Sequence, residues 1–159
     1  MKQTPDMDAA QRRMRAGVIT RDGFLGADAR KLIDILVEDE AEVGRFGVTH
    51  GAIASRMQAL HLAGRRGLGL PIRVEPHFEV QVDSARGKLP CPFTHRGLYP
   101  KTWIAVANLK TGESTTYSEL NIHLIGEHGF YEGRGASFRV APGDLVRILD
   151  VRADGGARD

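Results

Sequence analysis

Ile72-Arg73-Val74-Glu75-Pro76-His77-Phe78-Glu79-Val80-Gln81-Val82 carries the clearest periodic pattern in the chain. Ile72, Val74, Phe78, Val80 and Val82 alternate with Arg73, Glu75, His77, Glu79 and Gln81. Period two with one polar face predicts a half-buried β-strand. Pro76 cannot donate to a ladder, so an edge strand or a bulged one is expected. His77 falls on the polar face and reads as a solvated histidine.

Upstream of this strand the pattern is helical. Residues 1–16 are polar without a sustained period and read as a flexible tail or a short frayed helix. Val18-Ile19-Thr20 could be a short extended piece before a turn at Asp22-Gly23. Asp28 then makes a good N-cap for a helix with Leu32, Ile35, Leu36 and Val43 on one face and Asp34, Glu38, Asp39 and Glu42 on the other. Thr49 caps a second helix with Ile53, Met57 and Leu60 as its stripe and Gly64 at its end. Such a pair is either an αα-hairpin or a degenerate helix-turn-helix. No third helix follows to complete a DNA-reading unit.

Downstream, Asp83 to Gly87 reads as a turn and Lys88 to Phe93 as a strand returning beside the first. Thr102 to Leu109 is a second strand, apolar on both faces and therefore central. Lys110-Thr111-Gly112-Glu113 reads as a hairpin turn leading into Ser114 to Tyr117. Ser118 caps a helix through Ile125 or slightly beyond, closed by Gly126 and Gly129. A glycine-rich loop follows, then a short strand at Phe138 to Val140. Pro142 at a first helical position and Asp144 in the first turn predict a last helix bearing Leu145, Ile148 and Leu149, with a Pro-Gly type II turn followed by a strand as the alternative. The expected fold is α+β: an N-terminal helix pair packed on a small, mostly antiparallel sheet, with one further helix near residues 118–128. Residues 17–151 would form a single domain, with residues 152–159 a flexible C-terminal tail.

The totals narrow the function classes. A chain of 159 residues with 42% hydrophobic and 26% charged residues is ordinary for one globular domain. One cysteine rules out an internal disulfide, and the polar N-terminus has no signal-peptide core, so a cytoplasmic location is expected. No run reaches the ~20 apolar residues needed to span a bilayer. The net charge of +2 is mild and its charges are interspersed, which disfavours nucleic acid as a partner while leaving it open through the helix pair. An edge strand and the apolar Leu68-Gly69-Leu70 leave room for a homodimer.

The chemistry concentrates between Leu89 and Glu132. Cys91 and His95 form Cys-x3-His between prolines 90 and 92 and the following loop. His123 and His128 form His-x4-His on the helix that Ser118 caps. Thiolate and imidazole paired at short spacings from two elements are what a zinc site is built from, so zinc is the expected cofactor and these four residues its expected ligands. The histidine spacing is awkward, because residues five apart on a helix are rotated by about 140°. Convergence therefore calls for a break near Gly126. Four ligands would make a closed structural site, whereas three would leave a water position and permit hydrolytic chemistry. In that second case Glu127 and Glu132, each four residues after a histidine, are the candidate general bases. Tyr131 and Arg134 in the glycine-rich loop are the candidate substrate or anion contacts. A regulator acting through the N-terminal helices is the remaining alternative.

Overall fold

A computed structural model describes residues 2–93 and 96–153. The alternating stretch that opens the sheet is two strands rather than one. β1 spans Ile72–Val74 and β2 spans Phe78–Pro90, paired antiparallel with Ile72 opposite Val80. Glu75, Pro76 and His77 form the connection, a place where a proline's missing N–H costs no ladder bond. His77 is not solvated as expected. Its Nε2 lies 2.7 Å from Asp150 Oδ2, and its ring stacks on Phe78.

β2 also runs straight through the turn expected at Asp83–Gly87. A register shift between Ser84 and Lys88 absorbs those residues, and both halves of β2 pair with one long β3, Leu98–Asn108. Gly87 takes φ +109° there, a conformation that favours glycine. β4 is Ser114–Ser118, and the sheet order is β1-β2-β3-β4, antiparallel throughout. β3 is interior to the sheet as expected but one-faced. Ile104 and Val106 are buried, whereas Trp103 is 36% exposed and Ala105 and Ala107 are half-buried.

Among the described residues, five α-helices cover the sheet and its end. α1 is Pro5–Arg13, α2 Leu32–Arg45, α3 His50–Gly64, α4 Glu119–His128 and α5 Pro142–Ile148. The N-terminal segment expected to be a tail or frayed helix is thus an ordered helix that buries Ala10 and Met14. α2 does not start at Asp28. Its first N–H groups are met from α1 and the residues just before it: Leu32 donates to Gln11 Oε1 (2.9 Å) and Ile33 to Gln3 Oε1 (2.8 Å). A helix leaves its first amides unsatisfied, and here a neighbouring helix supplies the acceptors. Asp28 instead accepts from the Arg30 side chain and the Arg134 N–H. Asp39 faces inward, held by the Arg139 guanidinium at 2.6 and 2.9 Å, because a buried carboxylate requires such a partner.

α3 begins as expected, with Thr49 Oγ1 accepting from the Ala52 N–H at 3.0 Å. Ile53, Met57 and Leu60 are buried against the sheet. The short extended pieces expected at residues 18–20 and 138–140 are turns and irregular chain. α5 does start with Pro142. The interior falls into two clusters. One lies between the sheet, α3 and α5. The second gathers Ala10, Met14, Leu32, Ile35, Cys91, Leu120, Leu124 and Phe130 from α1, α2, the end of β2 and α4. Among the described residues no helix is long and apolar enough to cross a membrane. The expected C-terminal tail lies, from residue 154 onward, outside the described residues.

Candidate metal centre

Two local structures deliver the candidate ligands. β2 ends at Pro90, opposite Leu98, and Cys91 follows directly, 3% exposed. The chain then turns back so that the Phe93 N–H donates to Cys91 Sγ at 3.4 Å. Arg13 Nε pins this turn from α1 by donating to the Pro92 carbonyl at 2.6 Å. On the other side, α4 is locked by a capping box: Ser118 Oγ accepts from the Asn121 N–H, and Asn121 Oδ1 accepts from the Ser118 N–H. Five and ten positions after Ser118, His123 and His128 project toward the same cysteine.

The ligand atoms of Cys91, His123 and His128 all lie within 4.8 Å of one another, a group that could hold a metal ion. Cys91 Sγ is 3.5 Å from His128 Nε2, and the two imidazole centroids are 5.2 Å apart. This convergence needs no break at Gly126. α4 continues to His128 and ends at Gly129, in the left-handed conformation. The role of Gly126 is packing: a Cβ there would stand 3.1 Å from Ala54 Cβ of α3. His128 occupies the last turn, and the two rings approach Cys91 from different flanks of the helix.

A surrounding shell orients these groups. The Tyr99 hydroxyl is 2.9 Å from His123 Nδ1, and the two rings stack. With Nδ1 protonated and bonded to the hydroxyl, the Nε2 of His123 carries the lone pair a metal requires. Phe93 stacks on His128 with centroids 4.2 Å apart. Burial raises the pKa of the Tyr99 hydroxyl, with further contributions from Cys91 and Glu127, so the phenol stays a neutral hydrogen-bonding group.

The remaining expected site residues are distributed as follows. His95 lies outside the described residues. Glu127 is exposed and, with His128, lines a cleft of about 520 Å³ between α1 and α4. Glu132 is not in the metal-ligand group. It is 4% exposed and accepts a hydrogen bond of 2.5 Å from Asn121 Nδ2. Tyr131 is buried in the main core, its hydroxyl 2.8 Å from His50 Nδ1. Arg134 is an exposed side chain paired with Glu38 at 2.9 Å. Sequence reasoning missed Tyr99, Phe93 and Arg13. Tyr99 carried no readable signal: residues 94–101 read as a loop before the strand expected at Thr102 to Leu109, whereas β3 already starts at Leu98.

No family model matches the chain, and no curated protein or solved structure shows significant similarity to it.

Proposed function

We propose that this is a zinc-binding protein whose metal joins the end of β2 to α4. A tetrahedral zinc with Zn–S near 2.3 Å and Zn–N near 2.05 Å sets its sulfur and nitrogen ligands about 3.6 Å apart. The observation that carries the reading is the separation of Cys91 Sγ and His128 Nε2, which is 3.5 Å. One thiolate with imidazoles is a donor set that suits zinc and disfavours the hard cations calcium and magnesium. His123 supplies the third ligand, oriented by Tyr99. His95, four residues after Cys91, is the proposed fourth ligand, and four protein ligands make a closed, structural site.

The protein, purified without a histidine tag, is expected to carry about one equivalent of zinc by elemental analysis. Metal-free protein that folds normally and takes up no zinc would end the proposal. His95→Ala separates the closed site from an open one. A closed site loses most of its zinc affinity, whereas a three-ligand site stays loaded. The open alternative has one observation in its favour: Glu127 and His128 share the 520 Å³ cleft. There a bound zinc would supply an acidic water, and Glu127 would accept its proton in a hydrolase-type reaction.

A further inference from the structure

A second cavity, of about 300 Å³, lies between the other end of α4 and the middle of the sheet, at the lower end of the ~300–1,000 Å³ typical of small-molecule sites. Phe24, Leu89, Pro100, Trp103, Leu120 and Phe138 give it largely apolar walls. Its buried polar feature is Glu132. The carboxyl receives one hydrogen bond, to Oε2 from Asn121, and no partner among the described residues is recorded for Oε1. Arg139, whose charge bears on this carboxyl, donates to the Glu132 carbonyl and is otherwise committed to Asp39.

The chain holds this carboxyl in place by unusual means. Glu132 adopts φ +67°, a strained conformation uncommon outside glycine. Its neighbours prevent relaxation. The Gly133 N–H donates to the Phe24 carbonyl at 2.8 Å, and a Cβ at Gly133 would stand 2.2 Å from the Leu25 carbonyl oxygen. Of the lining hydroxyls, Ser118 accepts from the Asn121 N–H and Thr102 is bonded to Ser84. At the mouth, Arg21 points into solvent beside Asp22.

We infer that this cavity is a binding site for a small apolar molecule bearing one protonated amine, with the amine on the Glu132 carboxylate and the apolar body against Trp103, Leu120 and Phe138. The ligand class follows from complementarity. The walls exclude a strongly polar body, and a buried carboxylate without a paired cation calls for one. This inference is independent of the zinc reading, since none of its residues is a proposed ligand.

Trp103 is the chain's only tryptophan and lines the cavity, so its fluorescence reports occupancy. The probe is 2-cyclohexylethylamine, with 3-cyclohexylpropionate as the counterpart of opposite charge, titrated into zinc-loaded full-length protein at about pH 8, where a carboxyl titrating near 7 is ionised. The amine is expected to give a saturable shift and the acid at least about tenfold weaker binding. Glu132→Gln keeps the Asn121 contact and is expected to weaken the amine at least about tenfold. Ala85→Phe, at an exposed wall position, is expected to weaken amine binding with folding unchanged. No saturable response to the amine would overturn the inference. Equal binding of amine and acid, or full amine affinity in a folded Glu132→Gln protein, would overturn it equally.

Discussion

At the scale of single residues, Tyr99 and Glu132 make the sharpest predictions. Tyr99 touches a proposed ligand without being one. Removing its hydroxyl frees the His123 ring to rotate and change tautomer, and losses of outer-shell partners typically cost about 10–100-fold in metal affinity. Tyr99→Phe is therefore expected to weaken zinc by that factor in a competition titration, while the circular dichroism spectrum stays native. An unchanged affinity would remove Tyr99 from the site.

Glu132 has a signature of its own. Burial, the largest cause, lifts its carboxyl from an ordinary value near 4.5 to about 7, against the opposing hydrogen bond from Asn121 and the charge of Arg139. The folded state thus holds the proton more tightly than the unfolded chain. The associated stability is fully present below about 4.5 and is lost as pH rises through about 7. Between those values stability should fall with pH by at most roughly 1.4 kcal/mol per unit from this group. Glu132→Gln should flatten that slope in urea melts taken across the window. Besides Arg139, the charged groups facing this region are Arg21, Asp22 and Lys101 at the cavity mouth.

At the scale of elements, two helix placements depend on contacts across the chain. α3 lies close on the sheet because Gly64 has no side chain. A Cβ there would stand 2.4 Å from Val80 Cγ1 and 2.9 Å from Val82 Cγ2. Alanine is better than glycine in a helix by about 1 kcal/mol, yet overpacking stiff β-branched neighbours costs about 1–3 kcal/mol. Gly64→Ala should therefore be net destabilising by denaturant melt, against the propensity expectation. The start of α2 relies on Gln11 of α1 and on Gln3, just before that helix. Gln11→Ala removes the acceptor of the Leu32 N–H and should cost about 1 kcal/mol, the usual worth of a cap. Asp28→Ala, the replacement that local capping rules single out, should leave the helix start in place in hydrogen-exchange measurements.

These elements also show where sequence reading stopped. α3, β4, α4 and α5 were legible because their signals are local: Thr49 and Ser118 as caps, Gly112 in a hairpin turn, Pro142 at a first helical position. α1 was not, because its buried face is only Ala10 and Met14 and its purpose is visible only once α2 lies beside it. The bend in β2 was read as a turn because Asp83-Ser84-Ala85-Arg86-Gly87 has turn composition. β3 pairs on both sides of that segment and keeps it in the sheet.

At the scale of the whole molecule, the proposed metal joins parts of the chain that are distant in sequence and belong to the second core cluster. Cys91 follows β2, and His123 and His128 belong to α4, with α1 closing over them through Arg13. Zinc bound only by the folded state adds stability by mass action, about 4 kcal/mol when free metal exceeds Kd a thousandfold. For a domain of this size its removal by a chelator should lower Tm by roughly 10 °C, reversibly on adding zinc. Cys91→Ala should abolish this metal dependence. A chelator-induced loss of stability equal in wild type and Cys91→Ala would place the metal elsewhere.

The sequence by itself determined the α+β class, the antiparallel sheet, the capped helix at residues 118–128 and the concentration of Cys91, His123 and His128 in one window. Alternation, capping and turn chemistry are encoded within a few residues of where they act. Three features emerge only once the elements are packed: the two histidines meet Cys91 without a break at Gly126, Tyr99 and Phe93 surround them, and Glu132 lines a different cavity. Those outcomes depend on which elements pack side by side, and the orientation of a buried side chain is set by neighbours that can lie a hundred residues away.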